Sequence, residues 1–246
     1  MSKPKPIPLD KILFSQGFGT RRHCANLILA GLVKIEGQEV DDPDMLFSTE
    51  NLQLEIEGEI WPFHEKAYIA FHKPMNYECS HKTKHHPSVY NLFPSQLIER
   101  GIQCVGRLDQ DTTGLLLLSD DGQFIHQMTT PKKNIGKVYV IQTAEKILEK
   151  QIEHLLNGVI LDDDPKPCFA IKCEQTADQV LEMTIVEGRY HQVKRMLAAV
   201  GNHVSGLHRQ AIGNYVMPSN LKESQWTWLN QNDREHLYGR GTTDEK

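Results

Sequence analysis

The sequence predicts an α+β fold in two unequal parts: a small αβ module over residues 7–60 and a larger domain with a mixed, largely antiparallel sheet over 67–238. Three observations carry this expectation. Strand-like segments such as LQLEIEG (52–58), KVYVIQ (137–142) and VLEMTIVEG (180–188) recur without the regular helix–strand alternation of βαβ units. A chain of 246 residues is long for one average domain and suits two, each with its own core. The stretch GEIWPFHEK, with Pro62 inside it, falls where the pattern changes, so 61–66 is expected to be a linker. Residues 239–246 are expected to form a flexible tail.

The lead MSKPKPIP is broken by proline, and apolar Leu9, Ile12 and Leu13 begin a short helix behind it. GFGT (17–20) is a turn, with Thr20 able to cap a second helix whose apolar residues end before Gly31. VKIEGQEV (33–40) predicts two short strands around a glycine turn, and LQLEIEG alternates as a half-buried strand does. Beyond the seam, YIAFHKP (68–74) is a strand ended by proline, and CSHKTKHHPS (79–88) is a polar loop. His72, His81, His85 and His86 fall in or near that loop, but such a loop lacks the rigid frame and second-shell support of a metal site. A helix over 122–130 takes Asp120 or Asp121 as its cap.

Three constellations carry chemistry. In VGRLDQDTTGLLLLSDDG (105–122), Asp109 precedes a strand that is apolar on both faces and therefore central. That placement puts its carboxylate at the sheet edge, with Arg107 two residues away and Gly106 and Gly114 allowing tight turns. Lys137 and Tyr139 alternate on one strand face, a cation beside a ring. In EGRYHQVKRMLAAVGNH (187–203), Val193, Met196, Leu197 and Val200 form one stripe of a helix ending at Gly201, with Lys194 and Arg195 at its margin. Taken singly, each also fits an ordinary sheet or helix surface.

Together they resemble a known family. TRRHCANLILAGLVKIEG is similar to the S4 RNA-binding domain, which implies that Arg21, Arg22 and Lys34 face phosphates. GRLDQDTTGLLLLSDDG, KVY and EGRYHQVKRMLAAVG, in that order and with HKP at 72–74, resemble the S4-containing ribosomal RNA pseudouridine synthases of the Rsu family. The RYHQVK wording looks more like the branch acting on small-subunit RNA than the RNRQVR form of large-subunit enzymes. The resemblance implies that Asp109 is the catalytic carboxylate and that Arg107 takes the place of a flipped-out nucleotide. It also implies that Tyr139 stacks on uracil, Lys137 supports the pocket and Leu197 forms its apolar wall, while Lys194 keeps Asp109 charged. Arg189, His191 and Arg195 then contact RNA. Lys194 stands where most pseudouridine synthases carry Arg, which exchanges a bidentate clamp for a point charge, although Lys is usual in the small-subunit branch. No metal or organic cofactor is implied.

Composition bounds the partners. The formal net charge is −5, yet Asp41 to Glu65 holds eight acids and no Lys or Arg, and the remainder is mildly basic. Ribosomal RNA, free or in a pre-ribosomal particle, is the expected partner. The longest apolar runs fall well short of a membrane span, and five cysteines without a CxxC pair are expected to stay reduced, in a cytoplasmic monomer. Three rival readings stand beside this one: a large-subunit enzyme, a non-catalytic RNA-binding ribosome-assembly factor, and a glycoside hydrolase using Asp109 and Asp111 as a carboxylate pair.

Overall fold

A computed structural model describes residues 5–162 and 164–239, so the expected tail, Gly239 apart, lies outside the described residues. The chain forms two compact units. One comprises the residues up to 67 together with 93–103, and the other comprises 68–92 and everything from 104 onward.

In the first unit, helices Leu9–Ser15 and Arg21–Leu29 form where their apolar spacing placed them, and the Thr20 side chain accepts a hydrogen bond from the His23 N–H to cap the second. Their buried faces meet an antiparallel sheet ordered Gln38–Glu39, Val33–Ile35, Gln53–Ile56 and Glu59–Pro62. Ile12, Leu13, Ile28, Val33 and Leu54 make the core. The Val33–Ile35 hairpin turns on Glu36 and Gly37, both at positive φ. Trp61 and Pro62 were expected in a linker and are not. They complete the edge strand, where a missing N–H costs no ladder bond, and the next residue, Phe63, donates its N–H to the Leu52 carbonyl. Residues 93–103, sequence-distant, also belong here: Arg100 donates to the Gln16 side chain and to the His64 carbonyl, both at 2.8 Å.

The second unit is the α+β domain expected. Its main sheet runs Lys172–Ala177, Val180–Ile185, Lys137–Thr143, Val204–Ile212, Thr112–Ser119, Tyr68–Lys73 and Trp226–Trp228. Along that path only the pairing of Val204–Ile212 with Thr112–Ser119 is parallel. Leu115 to Leu118 are wholly buried because their strand is flanked on both edges and covered on both faces. Asp121 caps helix Gly122–Thr129 by accepting from the Gln123 and Phe124 N–H groups. Helix Gln192–Ala199 buries Val193, Met196 and Leu197, and Gly201 follows it at φ 77°. Helix Glu149–Asn157 and the hairpin of Val159–Leu161 with Asp164–Cys168 are additions that the sequence patterns did not single out.

Candidate active site

The central strand begins with a loop fixed from beneath. Lys73 is completely buried, and its ammonium donates to the carbonyls of Pro74 (2.9 Å), Gln110 (3.1 Å) and Thr112 (2.9 Å). Burial, above all, lowers its pKa. Asn76 N–H also donates to the Gln110 carbonyl, at 2.8 Å, and Thr112 N–H to that of Asp109, at 3.1 Å. The loop that carries Asp109 is therefore tied at both ends before any substrate contact is considered. Gly114 sits at φ 104° against strand Val204–Ile212, and a Cβ there would collide with the carbonyl oxygen of Arg209.

The Asp109 carboxylate is 31% exposed and lies between two side chains from the start of the Gln192–Ala199 helix. Lys194 Nζ is 3.2 Å from Oδ2, and His191 Nε2 is 3.3 Å from Oδ1. His191 precedes the helix in the left-handed region, at φ 48°, and that conformation brings its ring back over the Asp109 loop. Tyr190 stacks on the His191 ring at 3.8 Å. Lys194 also pairs with Asp111 at 2.6 Å. Burial disfavours the Lys194 charge, but the hydrogen bond to Asp111 and the Asp109 charge raise its pKa above the ordinary value. Asp111 is shifted the other way, since burial opposes its charge and the Lys194 contact outweighs that.

Arg107 is exposed and has no ion pair or hydrogen-bond partner among the described residues. It borders the Asp109 cleft together with Tyr139, Ile185, Val193 and Leu207. Tyr139 is buried and faces Arg209 across the sheet, while Lys137 Nζ donates to the Ile135 (3.0 Å) and Val186 (3.4 Å) carbonyls. Burial first, and Arg209 second, push the Lys137 ammonium down to about 8. The site thus offers a carboxylate between a lysine ammonium and an imidazole, an aromatic wall and an exposed arginine at the rim. Such an arrangement can act on a flat polar ring brought beside the carboxylate.

Residues 67–199, more than half of the chain, match the RNA pseudouridylate synthase family. The chain belongs to that family. The synthase segment follows a match to the S4 domain over residues 7–51. The ribosomal small subunit pseudouridine synthase A of Haemophilus influenzae is 36% identical over 230 residues, which is 93% of this chain and 98% of the relative. An uncharacterized RNA pseudouridine synthase of Bacillus subtilis, YtzG, is 31% identical, with coverage of 92% and 95%. A crystal structure of a pseudouridylate synthase, 36% identical, aligns with a TM-score of 0.67 and covers 94% of this chain and 99% of its own.

Of the residues singled out in this synthase from its sequence, Asp109, Arg107, Lys137, Tyr139, Lys194 and His191 come together around one cleft and the cavity next to it. Leu197 does not. It is buried in the helix's packed face, and Val193, one turn earlier, provides the apolar contact at the cleft. Arg189 also lines the Asp109 cleft and is held there by Glu187 (2.8 Å) and Asp164 (3.0 Å) and by the carbonyls of Lys166 and Pro167, which fastens the Asp164–Cys168 strand beside the cleft. Arg195 donates to the Tyr190 carbonyl at 3.1 Å. In the first unit, Lys34 is paired with Glu55 at 2.8 Å, whereas Arg21 and Arg22 are exposed at the start of their helix, Arg21 over the Phe14 ring. Sequence reasoning passed over Arg209, noted Tyr190 only as the ring beside His191 at the pocket rim, and noted Lys73 only as part of HKP. Arg209 carries no local signal, because one basic residue in a strand reads as solvent-facing.

Proposed function

We propose that the protein isomerises a uridine of small-subunit ribosomal RNA to pseudouridine, with Asp109 as the catalytic carboxylate. The observation that carries this reading is the Asp109 side chain itself, half-buried beside Tyr139 and bracketed by Lys194 and His191. The reaction breaks the bond between ribose C1′ and uracil N1, turns the ring and joins C5 to C1′, so it needs an ionised group close to the sugar. Arg107 occupies the rim from which a flipped nucleotide would leave the stack, and flipping costs a few kcal/mol, least where pairing is weak. The small-subunit assignment rests on RYHQVK and on the name of the H. influenzae relative. Work in the cytoplasm, as a monomer, on free or partly assembled RNA completes the reading, and five unpaired cysteines suit a reducing compartment.

The deciding experiment incubates purified full-length protein with small- and large-subunit RNAs, free and in partly assembled particles, and maps pseudouridines at nucleotide resolution. New pseudouridine in small-subunit RNA is expected, and modification confined to large-subunit RNA overturns the branch assignment. Binding should divide between the units. Arg21→Ala with Arg22→Ala is expected to weaken RNA binding and flatten the slope of log K against log salt by about two, roughly one for each phosphate no longer neutralised, while the rate at saturating RNA is unchanged. An unaltered slope would remove these arginines from the RNA interface.

A further inference from the structure

A further opening of about 360 Å³ borders the Asp109 loop, and Cys79 lines it together with Leu108, Asp109, Asp111, Tyr190 and Lys194. Beside Cys79 lies a second half-buried cysteine, Cys104, whose thiol donates a hydrogen bond to the Cys79 sulfur. Both stand on fixed backbone. The Glu78 N–H donates to the Pro87 carbonyl at 2.9 Å and the Val89 N–H to the Glu78 carbonyl at 3.0 Å, which closes the neck of the polar loop at Cys79. On the other side, the Cys104 N–H donates to the Tyr90 hydroxyl oxygen at 2.9 Å, and the next residue, Val105, donates to the Leu117 carbonyl of the central strand at 2.8 Å. The Cys79 sulfur also accepts from the backbone N–H of Leu108, the residue before Asp109. Neither thiol has a part in the isomerisation.

The five cysteines differ in reactivity. Burial pushes the Cys24 and Cys173 thiols up to about 11 and raises Cys168 as well. Cys79 moves the other way, down to about 7, because the Cys104 hydrogen bond above all, with the Leu108 N–H and the Lys73 and Arg209 charges, outweighs the cost of burial. Cys104 is raised, since its hydrogen bond to Cys79 holds its proton in place. An attacking thiol is most effective when its pKa lies near the ambient pH, and a protonated neighbour in contact supplies the second sulfur.

We propose that Cys79 and Cys104 are a redox-sensitive dithiol that closes to a disulfide and thereby moves the Asp109 loop out of its working position. The effect on turnover rests on the isomerase reading, whereas the bond itself does not. The oxidant is a small-molecule disulfide. The Cys79 thiolate attacks one of its sulfurs and expels the other as a thiolate, which leaves a mixed disulfide on Cys79. The Cys104 thiol then gives up its proton, attacks the Cys79 sulfur and expels the second small thiol. Two protein thiols are oxidised by two electrons, the small disulfide is reduced to two thiols, and the two protons released end on them. Disulfide sulfurs sit about 2.0 Å apart, well inside hydrogen-bond contact, so closure draws Cys79 toward Cys104. The Leu108 N–H then loses the thiolate it faces, and Lys73, which clamps the carbonyls of Gln110 and Thr112, loses the charge that most supports its ammonium. The reduced pair is the working state, as a reducing compartment requires, and disulfides that do form there are usually transient and redox-sensing.

The test equilibrates full-length protein in mixtures of reduced and oxidised glutathione. It follows the Cys79–Cys104 linkage by peptide mass mapping, amide exchange over residues 107–111 and pseudouridine formation in ribosomal RNA. Oxidising mixtures are expected to give the linkage, to speed exchange in that loop by about tenfold or more and to slow pseudouridine formation by about tenfold or more, all reversed by dithiothreitol. Cys104→Ser should stop at a glutathione adduct on Cys79, because the second attack has lost its sulfur. Cys79→Ser should form neither adduct nor disulfide and keep its rate in the oxidising mixture. Oxidised wild type without the linkage overturns the proposal, as does a linked protein whose loop exchange, or whose measurable turnover, matches the reduced form. Reduced wild type that makes no pseudouridine in any RNA, with the linkage and the faster exchange intact, instead overturns the isomerase reading while leaving the dithiol standing.

Discussion

Asp109→Asn is expected to lower the rate of pseudouridine formation by about a thousandfold or more while leaving RNA affinity within about tenfold. The two side chains are nearly isosteric, so the exchange removes a charge and little contact area. Lys194 is not stranded by it, because Asp111 lies 2.6 Å away and still pairs with the ammonium. The fold should therefore survive, and the loss should fall on kcat. Asp111→Asn is the control: Lys194 keeps its contact with Asp109, and the rate should stay within about threefold. Single-turnover rates and equilibrium RNA binding for both variants decide the matter. An Asp109→Asn enzyme retaining more than about a tenth of the wild-type rate would remove Asp109 from the chemistry. Equal losses at both positions would favour the carboxylate pair of the hydrolase reading.

The parts of this site that were legible in the sequence are those fixed by local pattern. The apolar run after Asp109 announced a central strand, which places the loop at the sheet end, and the Lys137–Tyr139 alternation put both side chains on one face. The basic helix was legible as well, but not its rotation. Val193 and Leu197 lie one turn apart on the same stripe, and only docking against the sheet decides that Val193 reaches the cleft while Leu197 packs inward. The sequence pattern marks His191 as an RNA contact but not that its left-handed backbone also brings its ring against Asp109. Trp61 and Pro62 looked like linker because proline usually ends a strand, yet an edge strand tolerates it. Arg209 and Lys73 were illegible for a common reason. A buried cation is recognised by what surrounds it in three dimensions, and their partners Leu115, Gln110 and Thr112 are backbone carbonyls, which have no sequence signature.

Lys73→Met should damage both stability and turnover. Methionine fills a similar volume but cannot donate, so the carbonyls of Pro74, Gln110 and Thr112 lose the ammonium they share. Gln110 keeps its bond from the Asn76 N–H, while each of the other two acceptors left unsatisfied costs about 1–3 kcal/mol, and removing a fully buried charge returns part of that total. A net destabilisation of about 2–4 kcal/mol is the expected balance, or a Tm lower by roughly 5–15 °C. Gln110 and Thr112 flank the Asp109–Asp111 loop, so releasing them lets the carboxylate drift from Lys194 and His191 even below the new Tm. A displacement on the order of 1 Å at reacting groups costs about a hundredfold in rate. At a temperature where the variant is fully folded, kcat should fall by about that factor with KM for RNA little changed, because the clamp touches no RNA-facing side chain. Thermal unfolding and steady-state kinetics on the same preparation test the two effects together. A variant with wild-type kcat and a lowered Tm would reduce Lys73 to a packing role, and one with both values unchanged would show that the loop holds its shape without the clamp.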